Sequence, residues 1–163
     1  MSEFRTGARL ALDWGQARIG VAACDPRGTL AYPVETIANV GDERAIAKRL
    51  AELVAEYEPI EIVMGLPRHL KGAEGASAAK IRERAQWLTR QFPSIGVRLI
   101  DERLTTVMAT RQLHDVGRGS RKQRAIIDQA AAVAILDHAL TVERNVGEPG
   151  GELILEGTQH GGA

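Results

Sequence analysis

Two short apolar runs, residues 10–14 (LALDW) and 19–24 (IGVAAC), stand four residues apart, and that spacing constrains the fold more than any other feature. A gap as short as 15–18 (GQAR) suits a hairpin between antiparallel strands and leaves no room for a crossover helix. A second reversal follows at 25–28 (DPRG), with proline at the second turn position and glycine at the last. Residues 30–37 then place Leu30, Tyr32 and Val34 on one face, while Pro33 suits a strand at a sheet edge. The chain therefore opens with a three-stranded antiparallel meander.

From Asp42 the period changes. Ile46, Leu50, Leu53, Val54 and Tyr57 fall on one helical stripe that Pro59 ends. Residues 60–65 (IEIVMG) read as a buried strand, 66–75 as a loop, 77–91 as a helix and 97–102 (VRLIDE) as another strand. Helices are expected over 105–114 and 126–140, with Thr105 as the N-cap of the first. The order βββαβαβα predicts an α/β fold: a mixed five-stranded sheet, three antiparallel strands followed by parallel ones, with helices on both faces. From Glu143 the chain turns acidic and Gly-rich without clear periodicity, so one domain is expected over 1–142 and a flexible tail over 143–163.

A chain of 163 residues fits one domain and has no space for a second substrate-clasping lobe. Its 21 basic and 21 acidic residues cancel, so a polyanionic partner would have to meet a local patch rather than a bulk field. Without the residues from Glu143 onward, 20 basic residues face 17 acidic ones. The densest cluster is Arg111, Arg118, Arg121, Lys122 and Arg124 against Asp115 alone, while Arg68, Lys71 and Arg103 fall on loops expected at the same sheet edge. These groups read either as a solvated charged surface or as phosphate contacts that position a nucleic-acid backbone without reading its sequence.

The single cysteine, Cys24, excludes an internal disulfide framework and a multi-Cys zinc site, and it suits a reducing cytoplasm. A packed strand residue is the plain reading of Cys24; a disulfide across a homodimer is the sharper one. A signal core and a run of 18 apolar residues are both missing, so neither secretion nor membrane spanning is expected.

Asp13 ends an otherwise apolar strand, where an isolated ionised carboxylate is costly to bury and needs a partner. Glu102 ends the fifth strand and Asp128 falls in the first turn expected for the last helix. The ends of the first and fifth strands can lie side by side, with the helix delivering the third acid. Three converging carboxylates repel one another unless cations intervene, and Mg²⁺ or Mn²⁺ are the hard ions that prefer such oxygens. Two of these ions about 4 Å apart form a known arrangement for phosphodiester cleavage. Asp101 and Glu102 cannot share one face of a strand, so one of them serves elsewhere. His69 and His114 read as surface histidines, with acid–base work the less favoured alternative.

The motifs LALDWGQARIGVA, IVMGLP, LIDERLTT and IIDQAAAVAIL, in this order and spacing, resemble the YqgF or RuvX family of small nucleases with the ribonuclease H fold. The resemblance covers about residues 9–140. It implies that Asp13, Glu102 and Asp128 are both the catalytic acids and the ligands of a site for two Mg²⁺ or Mn²⁺ ions, and it favours Glu102 over Asp101, which is left as a local hydrogen-bond acceptor. It also implies hydrolysis of structured nucleic acid, either the 5′ end of precursor 16S ribosomal RNA or a four-way Holliday junction. Arg68, Lys71, Arg103, Arg118, Arg121, Lys122 and Arg124 are then the candidate substrate contacts. Symmetric junction cutting calls for a homodimer, whereas trimming an RNA does not. Two other classes stay open. The hairpin LDWGQARIG also resembles the phosphate loop of actin-like and sugar-kinase ATPases, which need two lobes, and a module that binds branched DNA or structured RNA without cutting would keep the fold and lose the chemistry.

Overall fold

The computed structural model describes residues 4–109 and 121–155. Strands β1 (Arg9–Trp14) and β2 (Arg18–Cys24) form the expected hairpin, and the Gly15 amide donates to the Arg18 carbonyl at 2.8 Å. In the second reversal the Asp25 carboxylate accepts from the amides of Arg27, Thr29 and Leu30, and Gly28 takes a φ of 65° that suits glycine. Strand β3 (Ala31–Ala38) lies outermost beside β2, so Pro33 withholds no donor from the interior of the sheet.

Helix α1 (Glu43–Tyr57) begins where the Asp42 carboxylate accepts the Ala45 amide, and it stops at Glu58, one residue before Pro59. Strand β4 (Glu61–Leu66) is buried along its whole length and runs parallel to β1. Helix α2 (Ala76–Gln91) returns the chain to β5 (Gly96–Asp101), which is parallel to β4. A 3₁₀ turn over Glu102–Leu104 follows, and the last helix is α3 (Arg121–Val146). Thr105 Oγ1 accepts the Val107 amide, as an N-cap does; most of the helix expected over 105–114, including His114, lies outside the described residues.

Among the described residues the sheet has six strands rather than five, in the order β3-β2-β1-β4-β5-β6, because β6 (Glu152–Ile154) pairs antiparallel with β5. Residues 143–155, expected in a tail, instead complete α3 as far as Val146 and then add this strand. Residues 156–163 lie outside the described residues.

Alternation along the strands divides the core in two. Leu10, Leu12, Met64 and Leu99 face α1 and α2, where they meet Leu50, Ile81 and Leu88. Ala11, Ala22, Val63 and Ile100 face α3, which offers Ala131, Ala132, Ile135 and Leu136. Small side chains on both sides let α3 lie close to the sheet. By length and composition alone α3 could cross a membrane, yet here it packs across β1 to β4 as a core helix. Cys24 is 1% exposed within this second core and burial raises its thiol pKa, so the packed-strand reading holds and a disulfide to a second copy has no access.

Candidate active site

The site is built on a row that crosses the sheet near the C-terminal end of β1. Asp13 pairs with Gly20 of β2, and the step beyond the Leu12–Met64 pair puts Gly65 of β4 on its other side. Asp13 shares a face with Ala11 and so points towards α3. Both glycines are there because something else fills their space. A Cβ on Gly20 would stand 2.0 Å from the backbone oxygen of Asp128, and a Cβ on Gly65 would stand 2.7 Å from Glu102 Oε1. Gly20 therefore seats the backbone of α3 at Asp128, and Gly65 leaves room for the Glu102 carboxylate.

The strand ends of β1 and β5 are not side by side as expected, since β4 lies between them. The bare surface of Gly65 lets Glu102 lean across that intervening strand. Glu102 also sits beyond β5, at the start of the 3₁₀ turn, rather than on the strand. Asp101 sets that turn. Its carboxylate accepts the Arg103 amide at 2.9 Å and pairs with the Arg103 guanidinium, whose hydrogen bond holds the Asp101 pKa below its ordinary value. Asp101 is thus the local hydrogen-bond acceptor, as expected.

Asp128 differs more. Helix α3 already includes Arg121, so Asp128 lies two turns inside it and gains nothing from the helix terminus. Arg121, Lys122, Gln123 and Arg124 are all competent helix formers, which explains the earlier start. The Asp128 carboxylate accepts from Arg18 Nε at 2.6 Å. Asp13 and Glu102 are 5% and 6% exposed, whereas the Asp128 side chain is 21% exposed, so the third acid faces the opening.

All three acids line one cleft of about 630 Å³. Its other walls include Gln16 and Asn39, at and beside the hairpin turn, and Ser77, Lys80 and Arg84 of α2. Asn39 pins the hairpin by donating from Nδ2 to the Gly15 carbonyl at 2.9 Å. Three carboxylates are the donor set that a hard divalent cation prefers, so the chemistry of the residues fits one. Among the described residues, however, no three acidic, His or Cys side chains are gathered closely enough to enclose a metal; Asp128 meets Arg18 instead.

The basic candidates stand apart from the cleft lining. Arg68 pairs with Glu74 and Arg103 with Asp101, while Lys71, Arg121, Lys122 and Arg124 are exposed. Arg111 and Arg118 lie outside the described residues. His69 is exposed and does not line the cleft. Arg18, Gly20, Gly65 and Lys80 escaped the sequence reading, although Arg18 and Gly20 stand together in the motif RIG beside Asp13.

Comparison with known proteins decides the family. The family described as RuvX, Holliday junction resolvase, matches residues 7–142. The chain belongs to this family. It is 57% identical over 148 residues to a Streptomyces coelicolor protein described as a candidate pre-16S rRNA nuclease, covering 91% of this chain and 88% of that one. A Cutibacterium acnes protein of the same description is 55% identical over 134 residues and 82% of each chain. Thermus thermophilus RuvC, solved in complex with a Holliday junction substrate, superposes with a TM-score of 0.52 at 16% identity, over 88% of this chain and 99% of that one. That likeness shows the ribonuclease H-like fold, and RuvX family membership makes the chain a nuclease-type hydrolase.

Gly65 offers a direct check on the site. Gly65→Ala brings a methyl group against Glu102 Oε1 and, at 2.8 Å, Ile135 Cδ1. The overpacking should cost about 1–3 kcal/mol and leave the fold intact. Displacing Glu102 should slow cleavage on the order of 10²-fold. Thermal melts beside single-turnover cleavage check both halves, and a wild-type rate would show that Glu102 is not held for chemistry.

Proposed function

We propose that this RuvX-family protein is a metal-dependent endonuclease that hydrolyses phosphodiester bonds of structured nucleic acid, with the 5′ end of precursor 16S ribosomal RNA as its substrate. The observation that carries the reading is the convergence of Asp13, Glu102 and Asp128, from three separate elements, on one cleft. Asp13, Glu102 and Asp128 would hold Mg²⁺ or Mn²⁺. When bound, two such ions supply an activated water and stabilise the charge that develops on the departing 3′ oxygen. The chain's own residues set the stage: Gly20 seats the α3 backbone at Asp128, Gly65 leaves room for the Glu102 carboxylate, and Arg18 balances the Asp128 charge. Water is the nucleophile, and no covalent enzyme intermediate is required. A nucleic-acid substrate also agrees with a cytoplasmic location.

The similarity to proteins described for pre-16S rRNA favours RNA, while the family description and the RuvC-like fold favour a four-way junction. The junction reading needs two sites on a homodimer to place paired symmetric nicks. Among the described residues, the single sheet offers nothing like the two lobes of an actin-like phosphotransferase. The test is cleavage of a labelled precursor 16S RNA fragment and a labelled four-way junction, each with Mg²⁺ and with Mn²⁺. Defined incision of the RNA alone is expected. Symmetric nicks in the junction alone would transfer the function to resolution, and tight binding without incision of either would make the chain a binding module.

A further inference from the structure

The cleft has a second wall that the acids do not use. Ser77, Lys80 and Arg84 follow one another at i, i+3 and i+7, on one side of α2, and all three line the cleft. The adjoining stripe of the same helix buries Ala78, Ile81, Ala85 and Leu88 in the core, which anchors the wall to the sheet, and Ile81 also borders the cleft. Arg84 is fixed as well. Its guanidinium lies 5.4 Å from the centre of the Trp14 ring and 5.7 Å from that of Trp87, and it pairs with Glu43 at 2.7 Å. Lys80 is exposed and, among the described residues, enters no ion pair. Glu83 also lines this wall and is its one acid.

We infer that this face of α2 is a phosphate-binding track, which holds the nucleic-acid strand beside the bond to be cut, with Lys80 as its principal contact. The inference rests on the nuclease reading and adds the path of the substrate. A scissile phosphate at Asp13, Glu102 and Asp128 brings neighbouring phosphates into the same cleft, where the acidic end can only repel them. The cleft is large enough to hold more than the reacting group, since about 630 Å³ is a typical ligand-sized volume. Lys80 supplies the complementary charge on the α2 wall, Arg84 is held beside it by Glu43, and Ser77 adds a hydroxyl that can hydrogen-bond a phosphate or sugar oxygen.

The test is fluorescence anisotropy of the full chain with labelled single-stranded RNA and single-stranded DNA in EDTA, across a salt series, so that no cleavage occurs. Lys80→Ala should weaken binding three- to tenfold at low salt and lower the slope of log K against log salt by about 0.7, the value for one single-strand phosphate contact. Lys80→Arg should restore both. Lys48→Ala, an exposed lysine of α1 outside the cleft, should change neither. Equal losses on RNA and DNA identify the phosphate as the contact, and a loss on RNA alone would overturn it in favour of the ribose hydroxyl. Wild-type affinity and slope in Lys80→Ala would overturn the track alone. No salt-dependent binding by the wild type to either strand would also overturn the track, while cleavage of the structured RNA and junction with Mg²⁺ tests the nuclease reading separately.

Discussion

Asp13→Asn is expected to lower cleavage on the order of 10³-fold or more while leaving the protein folded. The substitution is nearly isosteric, so the row Gly20, Asp13, Gly65 keeps its shape. What it removes is the charge on the central carboxylate, the one flanked on both sides by the seats of the other two. Asp13 is 5% exposed and shares its cleft with Glu102 and Asp128. The amide keeps the shape and the hydrogen-bonding capacity of the carboxylate, so the melting temperature should stay within a few degrees of the wild type. Single-turnover cleavage and a thermal melt on one preparation check both parts. A folded, active Asp13→Asn protein would remove the acid row from the chemistry, whereas loss of activity together with loss of the fold would make Asp13 a structural residue.

How much of this site could be read from the sequence depends on which contacts are local. The hairpin around GQAR was legible because its turn joins neighbouring residues, and so was the role of Asp101, which hydrogen-bonds the amide two residues ahead. Asp13, Glu102 and Asp128 were legible as a set through motifs, and the structure places all three in one cleft. Their supports were not. Gly65 looks like an ordinary strand terminus until β4 is found between β1 and β5, and only then does a missing side chain explain how Glu102 reaches Asp13's neighbourhood. Strand order is a long-range property that the βββαβαβα pattern restricts without fixing. Lys80 and Arg84 were invisible for a related reason: α2 packs on one face of the sheet and α3 on the other, yet both border the cleft at the strand ends.

The end of α3 shows the opposite error, a core residue taken for a surface one, and it carries the second large effect. Leu136, Ala139, Leu140 and Glu143 continue one buried stripe, but a glutamate at the last position reads as the start of an acidic tail. Glu143 is 2% exposed and accepts from the Arg5 amide, from Arg5 Nε and Nη2, and from Arg9 Nη2 at 3.1 Å. Arg9 is itself only 1% exposed, and Arg5 continues the network to Glu61, which also holds Arg98. Glu143→Ala would leave the Arg9 guanidinium buried without its carboxylate, an arrangement that should cost about 3–5 kcal/mol. Burial alone would raise the Glu143 pKa, but hydrogen bonds from Arg5 and the charges of Arg9 and Arg5 outweigh it and hold the group at about 2. A depressed carboxylate pKa stabilises the fold fully above the ordinary value of 4.5 and loses that contribution as the pH falls towards 2. Wild-type stability should therefore decline across that acid window, and Glu143→Ala should show a shallower decline from a lower plateau. Urea unfolding between pH 7 and pH 2.5 measures both. Because neither Glu143 nor Arg9 lines the cleft, the variant should cleave at the wild-type rate wherever it remains folded. A normal plateau would show that the Arg9 charge is met by the Gly7 and Arg5 carbonyls alone, at 2.7 and 2.9 Å, and that the carboxylate adds little to them.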